Sequence, residues 1–163
     1  MTESAGKDPK NFPSILIYGF GNPGRQDDGL GPMFVERLES WAAEKGLDFL
    51  SFETAYQLNI EDALLVSRFD LVIFADADKE GGPFRFEVLQ PAVSTSFSTH
   101  AMAPEAVLAL CGQLYPHVPE ARMMAIGGCA WEMSTALSEG ASANLESALE
   151  FIKGFLLAPL LGE

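Results

Sequence analysis

Short, wholly apolar runs alternate along this chain with stretches in which apolar residues recur every three or four positions. That alternation allows few folds. Ile15-Leu-Ile-Tyr18 is a β-rich run ended by Gly19 and reads as a buried strand. Leu30, Phe34, Leu38, Trp41 and Ala42 then mark one face of an amphipathic helix. Asp28 is its expected N-cap, Pro32 is tolerated in the first turn, and Lys45-Gly46 closes it with a cation and a glycine.

The same grammar predicts the remaining elements. Strands are expected over Leu47–Glu53, Asp70–Ala75, Phe84–Leu89 and Met123–Ile126, the Phe84 strand lying near an edge. Helices are expected from Asn59 to Ser67, from Pro104 to about Tyr115, and from Ser138 or Ser142 to about Leu157. Strands alternating with helices give an α/β fold, a three-layer doubly wound sheet of about five mostly parallel strands with helices on both faces. Nothing in the composition breaks the chain, so residues 14–163 are expected to form one domain, preceded by a flexible N-terminal tail of residues 1–13.

Charge narrows the function. The 163 residues carry 23 acidic and 10 basic side chains, a formal net charge of −13. Such a surface opposes nucleic acid and anionic membranes, both of which need clustered Lys and Arg. The two cysteines, Cys111 and Cys129, form no disulfide framework or CxxC motif and are expected among core residues. With a polar N-terminus and no apolar run of bilayer length, the chain reads as a cytoplasmic protein.

In open α/β sheets, ligands bind beyond the carboxyl ends of the strands. Asp27-Asp28 follows the first strand and its glycine loop, and Asp76 and Asp78 follow the third. His100, one of two histidines, precedes the Pro104 helix. Asp28, Asp76 and His100 arriving on one rim would make a mixed oxygen and nitrogen site for a divalent ion. Asp78, beside Lys79 and Glu80, is expected in solvent, and His117 on the surface.

The first loop, Gly19-Phe-Gly21-Asn22-Pro-Gly24, also fits the G-x-G-x-x-G pattern of dinucleotide sites. In such sites the helix N-terminus cradles a pyrophosphate. Here two carboxylates stand at that position and suit a cation better. A nucleotide-binding module is therefore the lesser reading. A peptidyl-tRNA hydrolase-like enzyme, which shares the G-x-G-N-P-G opening, would need a basic surface that this chain lacks.

The run from Ile17 through Gly19, Gly21, Asn22, Asp27, Asp28, Gly29 and Gly31 to Pro32 resembles the G-x-G-N-x4-D-[DE]-G-x-G signature of hydrogenase maturation endopeptidases. The resemblance continues at Phe74-Ala-Asp76-Ala77 and at Thr99-His100-Ala-Met-Ala-Pro104. Where many members carry Glu, this chain has Asp28, and Gly127–Glu132 departs from the commoner pattern. The resemblance implies removal of a C-terminal peptide from the large-subunit precursor of a nickel-iron hydrogenase after nickel insertion. It implies nickel, or a substitute divalent metal, at Asp28, Asp76 and His100, which are also the expected catalytic residues. Gly21, Asn22 and Asp27 are expected to position the substrate, and the glycine amides around Asn22 to position peptide or stabilise an oxyanion. The expected partner is that precursor, with no nucleic acid or membrane, and the expected state is a monomer.

Overall fold

The computed structural model describes residues 12–93 and 102–158. Nine elements follow in order: β1 (Ile15–Phe20), α1 (Leu30–Lys45), β2 (Leu50–Ala55), α2 (Asp62–Val66), β3 (Leu71–Asp78), β4 (Phe84–Val88), α3 (Pro104–Leu114), β5 (Glu120–Gly127) and α4 (Glu139–Leu157). A 3-10 turn, Gln26–Gly29, precedes α1. The strands form one sheet in the order β2-β1-β3-β5-β4, parallel except for the antiparallel edge strand β4. This is the expected doubly wound α/β architecture.

Period-two alternation in the central strands feeds two cores. Ile15, Ile17, Leu71, Ile73 and Ala75 face α1 and α4, where they meet Phe34, Leu38, Leu145 and Ile152. Leu16, Tyr18, Val72 and Phe74 face the opposite way, against Val66, Val107, Leu108 and Cys111. Each large side chain removed from water contributes about 1.5–3 kcal/mol, so helices on both faces are needed to cover strands apolar on both sides. Gly46 ends α1 in the left-handed conformation (φ 67°), as its Lys-Gly pair foretells.

Several expectations are corrected. Asp28 does not cap α1, because the 3-10 turn intervenes and Gly29 stands at the N-cap. Strand β2 starts later than Leu47 and ends at Ala55, while β5 begins at Glu120. Strand β3 does not stop at Ala75: pairing with β5 carries it through Asp76 and Asp78. Cys129 is exposed, whereas Cys111 is buried as expected. Phe12 belongs to the domain, its ring 4.9 Å from that of Phe49, so the expected tail is shortened by the contact; residues 1–11 lie outside the described residues. No helix among the described residues is long and apolar enough to cross a membrane.

Candidate active site

In this strand order the chain turns left from β1 to β2 and right to β3, so the loops leaving β1 and β3 diverge and open a crevice between them. Asp28 comes from the β1 loop and Asp76 from the end of β3. Two glycines allow them to meet. A Cβ at Gly31 would lie 2.5 Å from both the Ala75 and the Phe20 carbonyl oxygens, so only glycine lets the first turn of α1 sit against both strand ends. Gly21 has φ 142°, and a side chain there would strike the Asp28 carbonyl.

Asp28 is half-buried, and its Oδ2 accepts a 2.8 Å hydrogen bond from the Asn22 backbone N–H. Asp76 is also half-buried, and its Oδ1 accepts from the Ala77 N–H at 2.8 Å. Burial, together with the negative charges of Asp28 and Asp78, raises the Asp76 pKa to about 7, although the Ala77 N–H opposes the shift. Two carboxylates within each other's field therefore share a partly desolvated rim. Among the described residues, Asp28 Oδ1 and Asp76 Oδ2 accept no hydrogen bond, leaving each carboxylate one uncommitted oxygen. That donor set fits a divalent cation, whose charge relieves the mutual repulsion. Among the described residues no third His, Cys, Asp or Glu completes a metal-holding group. The expected third member, His100, lies outside them. The chain is described again from Met102, whose N–H donates to the Leu58 carbonyl beyond the carboxyl end of β2, on the same rim.

Asp27 departs from its expected substrate-facing role. It is fully buried, and its carboxylate accepts four hydrogen bonds. Cys129 N and Ala130 N donate to Oδ2 at 2.7 and 2.8 Å, Ser138 N to Oδ1 at 2.9 Å, and the Ser138 hydroxyl to Oδ2 at 2.7 Å. Burial works against its ionisation, but the hydrogen bonds from Cys129, Ser138 and Ala130 prevail and hold its pKa below the usual carboxylate value. Asp78 is likewise not in solvent. It is 9% exposed and bonded to Arg85 through Nε at 3.1 Å and Nη2 at 2.8 Å. His117 is exposed as expected, with Nε2 2.7 Å from the Phe69 carbonyl.

Segment 128–138 is the part of the site that sequence reasoning missed. Beyond the Asp27 bonds, Gln26 N donates to Ser134 O at 2.7 Å and Ser134 N to Gly24 O at 3.0 Å. Glu132 N donates to Gln26 Oε1 at 2.8 Å, and the Lys79 ammonium lies 5.5 Å from the centre of the Trp131 ring. Gln26, at φ 50°, is the one non-glycine residue with positive φ among those described. The available signal was that Asp27 is acidic and adjacent to Asp28, but nothing local announces a partner a hundred residues away.

The loop geometry also removes the dinucleotide reading and the expected oxyanion role of the loop amides. Gly21 N donates to Ala55 O, Asn22 N to Asp28, Gly24 N to Asn22 Oδ1, and Arg25 N to Asn22 O. These amides are committed within the fold, so neither a pyrophosphate nor an oxyanion finds donors there. Asn22 Oδ1 is committed too, whereas its side-chain Nδ2 donates to no acceptor among the described residues and is the donor the loop offers a ligand.

No protein-family model matches the sequence. No curated protein matches it either. Solved structures do. The NiFe hydrogenase maturation protease HycI from Thermococcus kodakarensis aligns with a TM-score of 0.68 at 21% identity, over 92% of this chain and 97% of that one. The hydrogenase maturating endopeptidase HybD from E. coli aligns with a TM-score of 0.65 at 20% identity, over 87% of this chain and 91% of that one. A hydrogenase 2 maturation peptidase from a Thaumarchaeota archaeon gives 0.62 at 19% identity, over 87% and 97%. At these identities the likeness is one of fold. The chain has the fold of the nickel-iron hydrogenase maturation proteases.

Proposed function

We propose that this chain is an endopeptidase that removes a C-terminal peptide from the nickel-loaded large-subunit precursor of a nickel-iron hydrogenase. The observation that carries this reading is that Asp28 and Asp76 sense each other's charge on the rim, each with one carboxylate oxygen that accepts no hydrogen bond among the described residues, in a fold shared with such proteases. His100 is assigned as the third residue of the site on the strength of its motif.

In this mechanism the nickel is part of the substrate. Asp28 and Asp76 grip it through their free oxygens, so that an unloaded precursor lacks the charge that holds it in the crevice. A divalent ion there supplies Lewis acidity to the scissile carbonyl and acidity to a water. The chain's own residues do the rest. Asp76, with a pKa of about 7 in the metal-free site, gives up its proton when it takes the cation, so metal capture strengthens as pH rises through neutrality. Asn22 Nδ2 offers a hydrogen bond to the peptide backbone. Burial of both carboxylates limits competing water and strengthens their hold on a cation. The reading places the chain in the cytoplasm as a monomer acting on the precursor.

Calorimetry tests the ligand class. Ni²⁺ or Zn²⁺ titrated into the chain should bind stoichiometrically, with binding lost in Asp28→Ala, and NAD should give no heat. Dinucleotide binding, or no metal binding to the chain with and without precursor, would sink the proposal.

A further inference from the structure

We infer that Asp27 is a positioning residue for the proposed cleavage, acting by locking segment 128–138 against the first loop so that Asp28 faces Asp76. This rests on the reading of Asp28 and Asp76 as the site. Asp27 and Asp28 are neighbours in a 3-10 turn, where successive side chains point about 120° apart. One therefore turns into the protein when the other turns toward the crevice. The turn has no side-chain cap of its own, and Gln26 holds it at φ 50°. A strained residue persists only where its surroundings over-determine it.

Those surroundings are the clasp. Ser138 joins three elements: its hydroxyl donates to Asp27 Oδ2 and accepts from Ala141 N at 3.2 Å, which caps α4. Cys129 N and Ala130 N fix the start of the segment, while Asp27 N returns a bond to the Ala130 carbonyl at 3.1 Å. Ser134 and Glu132 then hold the main chain and side chain of Gln26. Four donors converge on one carboxylate, and an amide cannot replace it, because an asparagine NH₂ would face N–H groups. Without the clasp Gln26 relaxes, the turn rotates, and Asp28 leaves the Asn22 N–H. The segment beyond Gly127, where the chain departs from the pattern it otherwise resembles, thus has a role as the abutment of the site.

Asp27→Asn in the full chain tests this, read by amide NMR and by precursor cleavage. The Asn22 amide proton should move upfield and lose at least tenfold in exchange protection, while Ile17 and Phe74 in the sheet keep theirs. The kcat for a nickel-loaded precursor should fall roughly 10–100-fold with KM little changed, the range seen when groups that orient a site are removed. Ser138→Ala, which removes one of the four bonds, should shift the same signals in the same direction by less, and it carries the test if Asp27→Asn does not fold. An unchanged Asn22 amide in either folded variant overturns the inference, as does wild-type kcat in Asp27→Asn. If the wild-type chain cleaves no precursor, the proposed function fails, and the Asn22 amide still decides the positioning role.

Discussion

The backbone N–H of Asn22 donates to Oδ2 of Asp28 at 2.8 Å, closing the seven-residue loop 22–28 on the carboxylate that faces the crevice. The bond draws one oxygen of Asp28 into the loop and leaves the other for a ligand. It also explains why Gly21 must be glycine: the loop can curl this tightly only if nothing projects toward the Asp28 carbonyl. The glycine-rich loop thus aims an acid, where a dinucleotide loop would aim amides at a phosphate.

Removing the Asp28 charge should lower the Asp76 pKa. Burial of Asp76 is the larger cause of its elevation to about 7, and Asp28 adds to it. In Asp28→Asn the titration of Asp76, followed by carboxyl ¹³C NMR, should move toward the usual carboxylate range without reaching it. An unmoved titration would mean that the two carboxylates do not sense each other.

Stability should carry the mark of the same group. The Asp76 pKa rises on folding from 3.8 to about 7, so between these values the folded state binds more protons than the unfolded one. Stability then falls as pH climbs through that window, and above it the penalty levels at about 4 kcal/mol. Asp76→Asn removes the penalty. At pH 8 the variant should unfold at higher denaturant than wild type, and at pH 4 the two midpoints should converge. Equal gaps at both pH values would contradict the elevated pKa.

Gly31→Ala should damage both fold and site. A methyl group at 2.5 Å from the Ala75 and Phe20 carbonyls forces α1 away from β1 and β3. Such overpacking costs about 1–3 kcal/mol. Urea unfolding should report that loss, and metal affinity should fall with it because Asp28 moves with the helix start.

Tyr18→Phe should separate stability from function. The Tyr18 hydroxyl donates to buried Asp62 Oδ1 at 2.8 Å in the core away from α1 and α4. Its loss should cost about 1–2 kcal/mol in chemical denaturation. Processing by the folded variant should stay at the wild-type rate.

Much of this was legible in the sequence because its cause is local. Ile15–Tyr18 and Leu71–Ala75 are apolar at every position, which only a strand covered on both faces tolerates, and Lys45-Gly46 encodes its own helix end. Asp28 and Asp76 were legible because a charge directly behind such a strand or its loop must lie on the rim. What was hidden depends on long-range pairing. Asp76 and Asp78 continue β3 because β5 pairs with them, and Asp78 is buried because Arg85 on β4 reaches it. Asp27 looked equivalent to Asp28 until segment 128–138 folded onto it.

The most direct measurement is mass spectrometry of nickel-loaded and metal-free hydrogenase large-subunit precursor after incubation with wild type, Asp28→Asn and Asp76→Asn. The account predicts that wild type releases a single C-terminal peptide from the loaded precursor alone, and that both variants, folded by circular dichroism, release none. Wild-type cleavage by either variant, or equal cleavage of the metal-free precursor, would contradict it.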